Sequence, residues 1–231
     1  QGEPPQGDPA LATDTTSVDL MGNTFISLTE LDPVTGEVIP RLATSWEAGV
    51  DADGNETWTF QLRDDVQWVK YDPNSGEVVE DLDDEGNPRF VKPSDVEYGV
   101  KRTIDPETAS DYSYVLYIIK NAQAVNEGSE ELTLDDVGVS CDDEAGTCVF
   151  TLENPAPYFP SIASMWITMP VPQWTIELNG PKWIEPGLVV SSGPYVIEKW
   201  IHGGELDLIK NPFWIDADNV QIERVEGEMI V

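Results

Sequence analysis

With 231 residues, 40% of them hydrophobic and eight of them Trp, the chain has material for one large or two smaller domains with a real core, which excludes disorder. Its 44 acidic against 12 basic residues give a formal charge of −32, which excludes nucleic-acid binding, because phosphate contacts need clustered Lys and Arg. The same charge is repelled by an anionic membrane surface and keeps a chain soluble in a salty or crowded medium, a mark of habitat more than of function.

Gln1 to Pro9 lacks the basic and apolar regions of a signal peptide, so the chain is expected to begin after processing or after a lipid-anchored linker. No run approaches the roughly 18 apolar residues that span a bilayer. Residues 1–15 are rich in Pro and Gly and read as an extended arm. Val18, Met21, Phe25 and Leu28 then recur at helical spacing and predict a short amphipathic helix. Leu31 to Val38 sets strand residues on both sides of Asp32-Pro33 and Thr35-Gly36, a hairpin pattern. Across Thr57–Arg63 large apolar groups alternate with polar ones, which puts Trp58, Phe60 and Leu62 on one face of a half-buried strand. Asp72 to Asn87 is acidic with little apolar content and reads as a solvated loop.

Ser94 followed three residues later by Glu97 has the form of a capping box and predicts a helix to about Ile104. Tyr112, Val115, Leu116, Ile119 and Ala122 form one stripe, predicting a second helix over 111–126. Leu134–Val139 and Cys148–Leu152 read as the arms of a hairpin. Cys141 and Cys148 flank its polar turn and suit a cross-strand disulfide, which would contribute about 2–3 kcal/mol and imply an oxidising compartment; two free thiols are the alternative. The C-x6-C spacing and a single distant histidine, His202, argue against a metal site. The prolines between Pro155 and Pro172 disfavour a long regular element and suit a crossing between domains. A short helix near Trp174–Leu178 follows, then strands Tyr195–Trp200 and Glu205–Ile209 around His202-Gly203-Gly204, then a last strand from Val220 to Val231.

Asp51-Ala52-Asp53-Gly54 and Asp81 to Gly86 look like calcium loops, but the second meets Lys92 where the closing Glu belongs, so acidic surface turns are expected. Nucleophilic catalysis finds no activated Ser or Cys beside a base and no G-x-S-x-G. Paired carboxylates acting on a glycoside are the competing reading, though 44 acidic residues always offer a pair. Trp58, Trp200 and Trp214 are expected in packing rather than on sugars.

Several stretches in order resemble bacterial extracellular solute-binding protein family 5. Pro40–Glu47 is similar to its P-x-L-A-x-S-W-E segment, and Trp58–Trp68 to its T-F-x-L-R-x-x-V-x-W signature. Lys92–Val96 with Lys101-Arg102 and Asp105-Pro106, Thr151–Phe159, Ser192–Tyr195 and Lys210–Pro212 continue the series, and the resemblance runs from residue 8 to about 229. Ala109–Tyr112, Pro170–Pro172, Lys182-Trp183 and Pro186-Gly187 look most like the oligopeptide branch.

The resemblance implies an α/β protein of the periplasmic-binding-protein type II kind: part of lobe I, residues 1–27 and 173–231, with an inserted mixed α+β domain, residues 28–172. Family members are longer, so a second lobe is expected to be absent here, and with it the acidic residue that pairs with a peptide's amino terminus. It also implies a substrate-binding component of an ABC importer, outside the cytoplasm, periplasmic or lipid-anchored at the cell surface. Such a component has no catalysis and no cofactor, acts as a monomer, and takes a peptide or similar solute to the permease subunits. Bound peptide in this family adds a strand between lobes that close by hinge motion. Aligning Asp8-Pro9 with the family's D-P places Thr13, Asp14 and Thr15 on the peptide-pairing segment, and Tyr112, Met165 and Trp166 beside the cleft.

Overall fold

Asp14 starts the first helix, α1 (Thr15–Thr24), by accepting the Ser17 N–H on Oδ1 at 3.0 Å, an N-cap bond that satisfies one of the helix's orphan donors. The computed structural model describes residues 3–228. α1 ends a turn before the predicted Leu28 because the chain goes extended at Phe25, yet Phe25 and Leu28 are both buried. β1 (Thr29–Leu31) and β2 (Val38–Pro40) make the predicted hairpin. β3 (Ala43–Val50) and β4 (Glu56–Leu62) follow, and β4 holds an interior place in a sheet, with Phe60 and Leu62 buried and Trp58 half-buried on the expected face.

The acidic stretch after residue 72 is not the solvated loop its composition suggests. β5 (Val69–Asp72) and β6 (Glu77–Glu80) pair, and Val78 is buried with Val69 and Val196. A single inward valine is enough to seat a hairpin, and averaged composition hides it.

α2 (Pro93–Ile104) begins at a different cap from the predicted Ser94. Lys92 is the N-cap, Pro93 supplies a preset φ at a position that needs no donor, and Asp95 Oδ2 takes the Lys92 N–H at 2.9 Å. Ser94 donates its N–H and hydroxyl to Asp143, at 2.8 and 2.9 Å.

The helix expected over 111–126 is broken. Ser113–Ile118 is a 3₁₀ segment, Asn121 takes φ 63°, and only α3 (Ala122–Asn126) is α-helical. Between them Lys120 N–H bonds to the Thr151 carbonyl and its own carbonyl accepts Gly138 N–H, both at 2.9 Å, so pairing with the sheet wins over helix continuation. Leu116, Ile119 and Ala122 are buried all the same.

β7 (Val139–Asp142) and β8 (Thr147–Thr151) pair with Cys141 opposite Cys148, and the two sulfurs are bonded. β7 starts where the predicted arm ended, since Leu134–Asp136 is a 3₁₀ turn. The antiparallel order is β3-β4-β8-β7. The proline-rich crossover holds only α4 (Phe159–Ile162) and a 3₁₀ turn at Trp166–Thr168, after which comes α5 (Gln173–Asn179). β9 (Tyr195–Ile201), β10 (Glu205–Lys210) and β11 (Arg224–Glu228) form an antiparallel sheet in the order β11-β10-β9. β11 begins after the predicted Val220, because a 3₁₀ turn fills Ala217–Asn219; residues 229–231 of the predicted strand lie outside the described residues.

The rings of Phe60, Phe150 and Phe159 meet within 5.1–6.2 Å at the heart of the core. That buried cluster runs on without a break to Met21, Trp183 and Ile197, so both ends of the chain and its middle share one apolar interior. Trp200 is buried in it, whereas Trp58 and Trp214 are half-buried against it.

Candidate functional site

Two glycines set the walls of a groove. Ser192 and Gly193 both donate N–H to the Thr24 carbonyl, at 3.0 and 2.9 Å, and a Cβ on Gly193 would lie 2.6 Å from the Thr24 carbonyl carbon. Only glycine permits this approach, which sets Pro194 against the end of α1. On the other side a Cβ on Gly99 would sit 2.4 Å from the Met169 carbonyl oxygen, and Thr103 Oγ1 donates to the Ile167 carbonyl at 3.2 Å. α2 thereby pins the crossover in place.

Between these fixed points lies a groove of about 350 Å3, walled by Val18 and Gly22 of α1, Phe25, Met165, Trp166 and Met169. Its charged lining consists of Glu30 and Arg41. A shallower depression of about 520 Å3 adjoins it, sharing Arg41, Pro194 and Trp214. Arg41 Nε donates to Glu30, and Arg41 Nη1 stands 3.6 Å from Asp216.

Of the residues singled out from the sequence, Met165 and Trp166 line this groove. Tyr112 is not part of that lining; its ring packs at a tilt against Trp166, 5.0 Å between centroids, and against Tyr114 at 5.7 Å, so it supports a groove residue. Trp166 Nε1 is buried with no acceptor among the described residues. Asp14 stands one turn before Val18 on α1, the two joined by the Val18 N–H to Asp14 carbonyl bond at 3.1 Å. Burial pushes the Asp14 carboxyl up, but the Ser17 hydroxyl and amide and the Thr16 amide outweigh it and hold the group below the usual carboxylate range. Its Oδ2 is buried and has no hydrogen-bond partner among the described residues. Thr13 and Thr15 are exposed beside it, and among the described residues no shared lining or hydrogen bond joins them to Tyr112, Met165 or Trp166.

Glu30 and Arg41 were not singled out from the sequence, and Trp214 was expected there only in packing. The hairpin pattern over 31–38 contained the signal for the first two, since closing that hairpin brings residues 30 and 41 to its open end. Trp214 had none.

A larger trough, about 1170 Å3, runs elsewhere between the N-terminal arm, α2 and α5. Its Lys and Arg side chains are already matched: Arg102 forks onto buried Asp8 with both distances 2.7 Å, and Lys101 meets Glu97 at 2.7 Å. His202 is flanked by Glu3 and Glu185, whose hydrogen bonds raise its pKa. A trough whose cations are already held in short ion pairs is a weaker ligand site than a groove with apolar walls and an arginine whose Nη2 has no acceptor among the described residues.

Residues 37–230 match the family described as bacterial extracellular solute-binding proteins, family 5 middle. The chain is 33% identical over 230 residues to the oligopeptide-binding protein OppA of Bacillus subtilis, covering 99% of this chain and 38% of that protein. It is 29% identical over 231 residues to the dipeptide-binding protein DppE of the same organism, covering 100% of this chain and 38% of the relative. Among solved structures, the murein tripeptide binding protein MppA of Escherichia coli superposes with a TM-score of 0.82 at 28% identity, over 100% of this chain and 40% of that one. The chain thus spans about two fifths of the length of the proteins it matches.

Proposed function

We infer that this chain, which belongs to the bacterial extracellular solute-binding proteins of family 5, is the portion of an ABC-importer receptor that supplies one wall of a peptide-binding cleft. The observation that carries this reading is the groove itself, whose apolar walls come from α1, the crossover and the segment after Gly193. Its ligand is a peptide or a similar small solute, taken up outside the cytoplasm and passed to permease subunits without chemical change. Relatives named for oligopeptides, dipeptides and murein peptides support that cargo class. Among the described residues no helix is long and apolar enough to cross a membrane.

Residues 1–27 and 173–231 form part of one lobe, and 28–172 an inserted domain; the Thr24 bonds to Ser192 and Gly193 support this by tying the two end segments together. Asp14 with Thr13 and Thr15 offers the start of α1 to the ligand backbone, while Met165 and Trp166, backed by Tyr112, receive a side chain.

Calorimetry tests the reading. The full-length protein is expected to bind short peptides, and this chain alone to bind them weakly or not at all, because one wall of a clamp keeps few of its contacts. Submicromolar peptide binding by the 231-residue chain alone would contradict the single-wall assignment.

A further inference from the structure

We propose that Arg41 binds a carboxylate of the ligand through its Nη1 and Nη2 atoms, so that the groove selects acid-bearing apolar peptides. The proposal rests on the peptide reading above and names the chemistry that this wall recognises.

Arg102 and Arg63 show what a satisfied guanidinium looks like in this molecule. Arg102 gives both Nη atoms to Asp8, and Arg63 gives Nε and Nη2 to Asp65 at 2.5 and 2.9 Å. Arg41 is different. Its Nε is used by Glu30, Nη1 has only Asp216 at 3.6 Å, beyond hydrogen-bond reach, and Nη2 donates to nothing among the described residues. The edge of a guanidinium that fits a carboxylate two-point is thereby left open.

Its setting gives that edge a purpose. Arg41 is the cation of the groove lining, and Phe25, Met165, Trp166 and Met169 stand in the same groove to take an apolar group beside the bound acid. In a chain of formal charge −32, an acidic ligand approaches against the overall field, so a local cation is what makes its capture possible. Asp216, whose side chain is 53% exposed, is the group that gives way: the ligand carboxylate takes its place at Arg41 while Asp216 turns to water. Glu30 stays on Nε and holds the fork in orientation.

The test uses the full-length protein and three apolar tripeptides: the free acid, its C-terminal amide, and the amide with a central Glu. Calorimetry is expected to show at least one carboxylate-bearing peptide binding about tenfold or more tighter than the neutral amide. The free acid and the Glu peptide tell a terminal carboxylate from a side-chain one. Arg41→Gln is expected to erase the ratio, Arg41→Lys to keep part of it, and Asp216→Asn to tighten the carboxylate-bearing peptide while leaving the amide unchanged. Loss of a merely structural bridge would weaken all three peptides alike and leave their ratio intact. An unchanged ratio in Arg41→Gln overturns the role of Arg41 alone; failure of every peptide to bind the wild-type protein overturns the peptide reading, and the carboxylate site with it.

Discussion

Asp95 stands on the first turn of α2, 8% exposed, where burial lifts its carboxyl to about 6 against the pull of two donors, the Lys92 amide and Trp68 Nε1. Asp143 nearby pushes in the same direction. Because the folded value lies above the unfolded one, the stabilising contribution is complete below about pH 4 and is lost as pH rises through about 6. Both donors reach the same oxygen, so an amide in its place keeps both bonds and removes the buried charge. Asp95→Asn is therefore expected to gain about 2 kcal/mol on the wild type between pH 4 and pH 7. Urea unfolding at the two pH values checks this, and a constant difference would refute it. The turn aspartates shift the other way: the amides of Thr35 and Val34 lower Asp32, the side chain and amide of Asn55 lower Asp51, and those of Asn87 lower Asp83. Their contributions are common to both proteins and cancel in the comparison. The same bonds explain the calcium-like look of Asp51–Gly54 and Asp83–Gly86. Each Oδ1 already holds two backbone N–H groups of its own turn, at 2.8–2.9 Å.

At the scale of elements, the disulfide hairpin does more than close a short loop. Its turn residue Asp143 holds the first turn of α2 through Ser94, and the Cys141 N–H reaches Glu97 at 2.8 Å. Replacing both Cys141 and Cys148 by Ser is expected to cost about 2–3 kcal/mol, read as a lower thermal midpoint that the wild type reproduces under reductant. Equal midpoints with and without reductant would show that the bridge does not constrain the unfolded chain. The strand Thr57–Arg63 and the hairpins at 31–38 and 195–209 were legible in the sequence, because alternation and turn residues are local properties. The helix at 111–126 was not, although its stripe was read correctly. A stripe reports which residues are buried, and only the backbone partners offered by Thr151 and Gly138 to Lys120 decide that the chain leaves the helix at Ile119.

Across the whole molecule the 44 carboxylates face 12 cations, many of which are held in ion pairs such as Arg102–Asp8 and Lys70–Asp81. The remaining charge repels itself, and salt shortens its reach from about 30 Å at 0.01 M to about 3 Å at 1 M. Potassium chloride across that range is expected to raise the thermal midpoint of this chain, and an equally concentrated neutral osmolyte to reproduce little of the rise. A midpoint indifferent to salt would mean that the ion pairs already neutralise the field locally.

By itself the sequence determined the strand at Thr57–Arg63, the hairpins at 31–38 and 195–209, the cysteine pair and the ordered motifs of family 5, since these depend on neighbours a few residues apart or on patterns copied along the chain. The resemblance also pointed to Met165 and Trp166 as residues beside a cleft, and both line the groove. Only the tertiary structure decided where α2 is capped, where the 111–126 stripe breaks, and that Arg41 meets Glu30 and Asp216 with an open fork. Those outcomes turn on bonds between residues distant in the chain, where one carbonyl or carboxylate arriving from elsewhere outweighs local preference.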